Sequence, residues 1–149
     1  MTQEFAPGDV VEIETDQGLA YVQVTHRHSS YPTVVRALDG LHESRPADLA
    51  ALIAGATAFV TMIPLAAALR QAGATFDRVG QVEVPQAHRT FPIFRMPIRD
   101  KAGEIVYWWF WDGRSLSFEV DLDQTQSALP MREVMTGSRF LEMLRTKAR

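Results

Sequence analysis

Ile105-Val106-Tyr107-Trp108-Trp109-Phe110-Trp111, then Asp112-Gly113, then Arg114-Ser115-Leu116-Ser117-Phe118-Glu119-Val120-Asp121 is the stretch that decides the fold, and it carries all three tryptophans. Asp-Gly between two runs rich in β-formers is a strong hairpin signal. With Asp112-Gly113 as a two-residue loop, Trp111 pairs with Arg114, Trp109 with Leu116, Tyr107 with Phe118 and Ile105 with Val120. That face is apolar on both strands, so the expectation is that it forms core. The opposite face pairs Phe110 with Ser115, Trp108 with Ser117 and Val106 with Glu119. Two readings compete for it. Either a helix or loop covers Trp108 and Phe110, since large apolar side chains are usually buried. Or the two rings form an exposed patch that anchors a partner, with Arg114 and Arg95 nearby.

Working outward, Ile93–Ile98 reads as the strand before this hairpin, joined to it through Asp100-Lys101-Ala102-Gly103. At the other end of the chain, Asp9–Glu14 and Leu19–His26 flank an Asp16-Gln17-Gly18 turn. Pairing Asp16 with Leu19 sets Val11 and Ile13 against Val24 and Val22, and Glu12 and Glu14 against Gln23 and Tyr21. This predicts one dry and one wet face. Thr33–Leu38 reads as a third strand. Pro46–Ala54 reads as a short helix, Thr57–Ile63 as a buried strand, and Pro64 as the first position of a helix that Gly73 stops. Phe76–Val84 returns to strand. A final helix begins near Ser138, its expected N-cap, with Phe140, Leu141 and Leu144 as its apolar side. The expectation is one α+β domain across residues 1–149, built mostly from antiparallel β-hairpins with two or three short helices.

Composition limits the function classes. The chain has 149 residues, 46% hydrophobic and 22% charged, the balance of a globular protein rather than a disordered one. It has no cysteine, hence no disulfide, thiolate-metal site or thiol nucleophile, which leans towards a reducing compartment. The start lacks the basic and apolar regions of a signal peptide. The apolar stretch from Ala47 to Leu69 is broken by Gly55, Thr57, Thr61 and Pro64, and reads as core. The net charge of −3 gives no basic surplus of the kind a sequence-independent nucleic-acid binder shows. Charge is nonetheless uneven: residues 104–123 hold five acids and one base, and the last eighteen hold five bases and two acids.

Each candidate catalytic or metal motif in the sequence has a plainer reading. His26 and His28 sit at i,i+2, which on a strand is one face, but the sequence implies no third ligand. His42-Glu43-Ser44 lacks the second histidine of the helical zinc-protease motif. Ser29-Ser30 beside His28 has no nucleophile elbow around it. Gly137-Ser138-Arg139 could hold an anion at a helix start, though plain capping is the simpler role. Glu119, Asp121 and Asp123 alternate and are expected on one strand face. They read as a solvated edge, a docking surface for a basic partner, or paired acids. No catalytic residue, metal site or cofactor is expected.

In order of landmarks, the chain resembles the immunity-protein family numbered 26 of bacterial polymorphic toxin systems. The resembling features are Pro7-Gly8-Asp9-Val10-Val11, Gly18-Leu19-Ala20-Tyr21-Val22-Gln23-Val24, a middle helix–strand segment, Phe91-Pro92-Ile93-Phe94-Arg95 and Trp109-Phe110-Trp111-Asp112-Gly113. The long connection through residues 40–56 departs from the pattern. The resemblance implies an SH3-like curved meander at the N-terminus and a cytoplasmic antidote that binds and blocks a co-encoded toxin without catalysis of its own. The expectation is therefore a non-catalytic protein-binding domain. Trp108 and Phe110 are its expected anchors, with Arg114 beside them, and Glu119, Asp121 and Asp123 its electrostatic guides. The alternative expectation is a module for small molecules or single-stranded nucleic acid, using arginines next to aromatics such as Phe94-Arg95 and Arg89 with Phe91.

Overall fold

The computed structural model describes residues 4–147. The elements run β1 (Asp9–Thr15), β2 (Gly18–His26), β3 (Val34–Leu38), α1 (Leu49–Ile53), β4 (Thr57–Met62), α2 (Leu65–Gln71) and β5 (Phe76–Gln81). There follow β6 (Phe94–Arg99), β7 (Ile105–Trp111), β8 (Leu116–Glu119), α3 (Gln124–Ser127) and α4 (Gly137–Lys147). The class is α+β, with two antiparallel sheets ordered β4-β3-β2-β1-β5 and β6-β7-β8. Within the chain the contacts cluster into two compact units, residues 4–89 with 134–147, and residues 90–133. No helix among the described residues is long and apolar enough to cross a membrane.

In the first unit, β1 to β4 form a meander in consecutive order and β5 adds beside β1. Among the described residues no pairing closes this sheet into a barrel. One face carries Val11, Ile13, Val22, Val24 and Val35, and packs against Leu65 and Leu69 of α2 and Phe140 and Leu144 of α4. The other carries Val10, Tyr21 and Leu38 against Ile53 of α1, with Leu49 and Leu52 beside it. The expected wet face is therefore corrected: Tyr21 and Gln23 are buried. Tyr21 Oη donates to Glu12 Oε2 at 2.7 Å and Gln23 Nε2 donates to the Val82 carbonyl at 2.7 Å, while the buried Gln23 Oε1 has no hydrogen-bond partner among the described residues.

The register of this hairpin is also corrected, by two residues. Thr15 pairs with Gly18, Ile13 with Ala20 and Val11 with Val22. The loop is Asp16-Gln17, closed by Thr15 Oγ1 donating to the Gly18 carbonyl at 2.7 Å. An even shift keeps every side chain on its expected face.

The helices start where side chains supply caps. Asp48 accepts from Ala51 N–H at 3.1 Å and opens α1. Pro64 precedes α2 instead of forming its first residue, and the Glu4 carboxylate accepts from Ala66 and Ala67 N–H at 2.9 and 3.0 Å. At α4 the expected cap Ser138 lies inside the helix. Thr136 takes the capping role, accepting from Arg139 N–H at 3.2 Å.

In the second unit, Asp100 Oδ1 accepts from Ala102 and Glu104 N–H and shapes the β6–β7 turn. The β7–β8 register is two residues off the expected one: Trp111 pairs with Leu116, Trp109 with Phe118 and Trp108 with Glu119. The reason is an Asx turn. Asp112 Oδ1 accepts from both Arg114 and Ser115 N–H at 2.9 Å, so the loop holds four residues, 112–115. Gly113 has φ +95°, and a Cβ there would meet the Phe91 ring at 2.9 Å.

Candidate protein-binding surface

Two-residue periodicity and the register of the second sheet put Phe94, Met96 and Ile98 of β6 on one face with Tyr107, Trp109 and Trp111 of β7 and Leu116 and Phe118 of β8. At one end Trp111 is buried. The Phe91 ring meets it edge-on at 5.5 Å, and the Arg132 guanidinium lies 5.2 Å from its centroid. Tyr107, Trp109 and Phe118 form a triangle of edge-on rings, with centroids 5.8–6.1 Å apart. Toward β8 the face opens: Leu116 is 54% and Phe118 62% exposed. The expectation of a core here is thus overturned at the β8 side. Six of the eight exposed large hydrophobic side chains among the described residues lie between 90 and 133, so this unit is where unburied apolar surface gathers.

The reverse face is covered at Phe110, while Val106, Ser117 and Glu119 on it are exposed. Phe110 is only 6% exposed. Residues 129–132 run alongside β6: Arg95 N–H donates to the Pro130 carbonyl and Arg132 N–H to the Arg95 carbonyl, each at 2.9 Å. The Arg95 guanidinium donates to the Leu129 carbonyl at 2.9 Å and lies 4.9 Å from the Trp108 centroid. Above Phe110 there remains a groove of about 280 Å³. Leu129, Gln126, Ser117 and Glu119 are among the residues that line it. Trp108 and Trp109 do lie on opposite faces. Phe110, offered as an anchor, presents almost no surface, and half-buried Trp108 is engaged by Arg95.

The other expected site residues separate. Arg114 is exposed in the turn. Glu119 ends β8, and Asp121 lies beyond it in a bend. Asp123 is the N-cap of α3: its Oδ1 accepts from Gln126 N–H at 2.7 Å, and Gln126 Oε1 accepts from Asp123 N–H at 3.1 Å. The three acids therefore do not share a strand face, because the strand stops at the first of them. Asp123-x-x-Gln126 is a readable capping box, and it is the signal that could have located the cover over Phe110. Two backbone N–H bonds hold the Asp112 carboxyl below the usual carboxylate value.

In the first unit the histidines do not converge. β2 ends at His26, whose Nε2 is 2.7 Å from the Arg89 carbonyl and whose Nδ1 is 2.9 Å from Thr25 Oγ1. His28 lies past the strand, and its Nδ1 accepts from Ser30 N–H at 3.0 Å. His42 packs edge-on to Tyr21 at 5.4 Å. Among the described residues no group of three His, Cys, Asp or Glu side chains could hold a metal ion.

Two polar clusters were not legible in the sequence. Arg36, 1% exposed, donates to the Ile53 and Gly55 carbonyls at 2.8 and 3.0 Å and to Thr57 Oγ1 at 3.0 Å. Burial pushes its pKa down. Burial, then the Arg36 charge, likewise lowers His88. Glu12 is gripped by Arg45 at 2.8 and 3.2 Å as well as by Tyr21. The Arg45 hydrogen bond is the main cause of its lowered pKa. Both clusters brace the fold: they join strands to α1 and to the loop before it.

Comparison with protein-family models, with curated proteins and with solved structures returns no match to this chain.

Proposed function

We propose that this chain is a non-catalytic protein-binding domain that engages its partner through the open apolar face of β7 and β8. The observation that carries the reading is the exposure of Leu116 and Phe118 in continuity with the Tyr107–Trp109–Phe118 ring triangle. Contiguous apolar surface on a folded unit marks interaction sites, and aromatic anchors dominate interface energetics. The anchors on this reading are Trp109 and Phe118, in place of Trp108 and Phe110. Glu119 and Asp121 stand at the margin and steer a basic partner. The family resemblance supplies the finer proposal: the partner is a toxin domain, blocked by occlusion in the bacterial cytoplasm. No cofactor enters into this function.

The test is capture of partners from native lysate on full-length protein and on a Leu116→Ser/Phe118→Ser variant. Both side chains are exposed, so the variant keeps its circular dichroism spectrum. The expected result is one protein retained by the native chain and depleted about tenfold or more on the variant, as loss of an interface anchor predicts. Equal retention by a folded variant overturns the reading.

A further inference from the structure

We infer that the partner supplies an extended segment that adds to the second sheet as a fourth strand along β8, with apolar residues alternating with lysine or arginine. This rests on the proposed protein-binding function and names its mode and its partner chemistry. The two edges of the sheet differ. At β6, residues 130–132 already lie alongside, through the parallel bridge of Arg95 and Met131. Pro97 in the middle of β6 also has no N–H, a composition suited to an edge that must not grow. At β8, pairing among the described strands is with β7 alone, and its four residues contain no proline, glycine or lysine. Its outward main-chain groups are a template for strand addition.

The side chains of β8 dictate the pattern of the incoming strand. Residues opposite one another in a sheet share a face. One alternate set of the added strand therefore extends the apolar face beside Leu116 and Phe118. The other set falls on the side of Ser117 and Glu119, next to Asp121. Glu119 ends β8 and Asp121 follows two residues later, with no base in β8 itself, so the second set is basic. A second copy of this chain fits less well, because it would bring the same acids together along the joined edges.

The probe is a synthetic eight-residue peptide of alternating valine and lysine, titrated into the full chain and followed by tryptophan fluorescence. Hydrogen exchange is read at residues 116–119. Controls are the same peptide with glutamate for lysine, and the lysine peptide methylated on its backbone amides. The expected result has four parts. The lysine peptide binds, binding weakens with salt, exchange slows across β8, and both controls bind about tenfold or more weaker. Equal binding of the methylated peptide overturns strand addition, and equal binding of the glutamate peptide overturns the basic partner. Absence of binding by any peptide overturns the inference. Failure of these arms leaves the capture experiment with the Leu116→Ser/Phe118→Ser variant to stand separately, since that variant tests the face and not the mode of pairing.

Discussion

Arg36 shows how a single residue can hide from pattern reading. Within Val34-Val35-Arg36-Ala37-Leu38 it looks like the exposed alternate position of a half-buried strand, yet every residue of β3 is buried. What holds the guanidinium is a fork of main-chain carbonyls at the end of α1, an arrangement that depends on residues 53–57 folding back and that no spacing rule announces. Gly113 is the opposite case, since Asp-Gly advertised a turn in plain sight. It is confined twice, by φ +95° and by the Phe91 ring that a Cβ would strike. Gly113→Ala is expected to destabilise the chain by about 1–2 kcal/mol from the left-handed backbone alone, and by more if Phe91 must move off Trp111. Urea denaturation followed by circular dichroism measures it. An unchanged midpoint would show that the turn relaxes freely.

The existence and type of most elements were legible, because alternation and turn residues act locally. Registers were not: both hairpins slid by two residues. In each case a side chain, Thr15 or Asp112, hydrogen-bonds within the loop and sets its length. Helix α3 is not legible because four residues carry no periodicity, and the cover over Phe110 is not legible without it. Helix α4 starts two residues earlier than an N-cap at Ser138 implies, for a packing reason. Gly137 lies so close to α2 that a Cβ would overlap the Ala68 carbonyl, so the helix begins on a residue chosen for its smallness. Gly137→Ala is accordingly expected to cost about 3 kcal/mol, the upper end of ordinary overpacking, since backbone cannot step aside as a side chain can. The same helix substitution at exposed Ser138 should be close to neutral. Thermal melts of the two variants decide it: similar melting temperatures would remove the claim of close α2–α4 contact.

Over the whole molecule the titrating groups favour a stability maximum from neutral to mildly alkaline pH. Burial pushes Asp9 up, but hydrogen bonds from Ala6 N–H, Arg78 and Gln81, with the Arg78 charge, outweigh it and leave the carboxyl low. Glu12 and Asp112 are low as well. A depressed carboxyl stabilises the fold above its unfolded pKa, and that contribution is lost as pH falls through the folded value. His88 is depressed from 6.5, so the unfolded chain takes up its proton first, and this too lowers stability on acidification. Tyr21 is raised from 10.0, chiefly by burial and then by Glu12, so stability falls again once pH rises past that value. Urea midpoints should therefore drop below about pH 6 and above about pH 10, and Tyr21→Phe should remove the alkaline fall. A flat profile would mean these groups titrate alike in both states.

The path of the backbone carries a consequence of another kind. Residues 90–133 interrupt the first unit, and Phe140 and Leu144 return to complete a core whose strands were laid down more than fifty residues earlier. During translation the five-stranded sheet must wait, one apolar side covered by α2 but not yet by α4, while the ribosome spells out the three-stranded insert. That waiting chain is the form most in need of chaperone shelter.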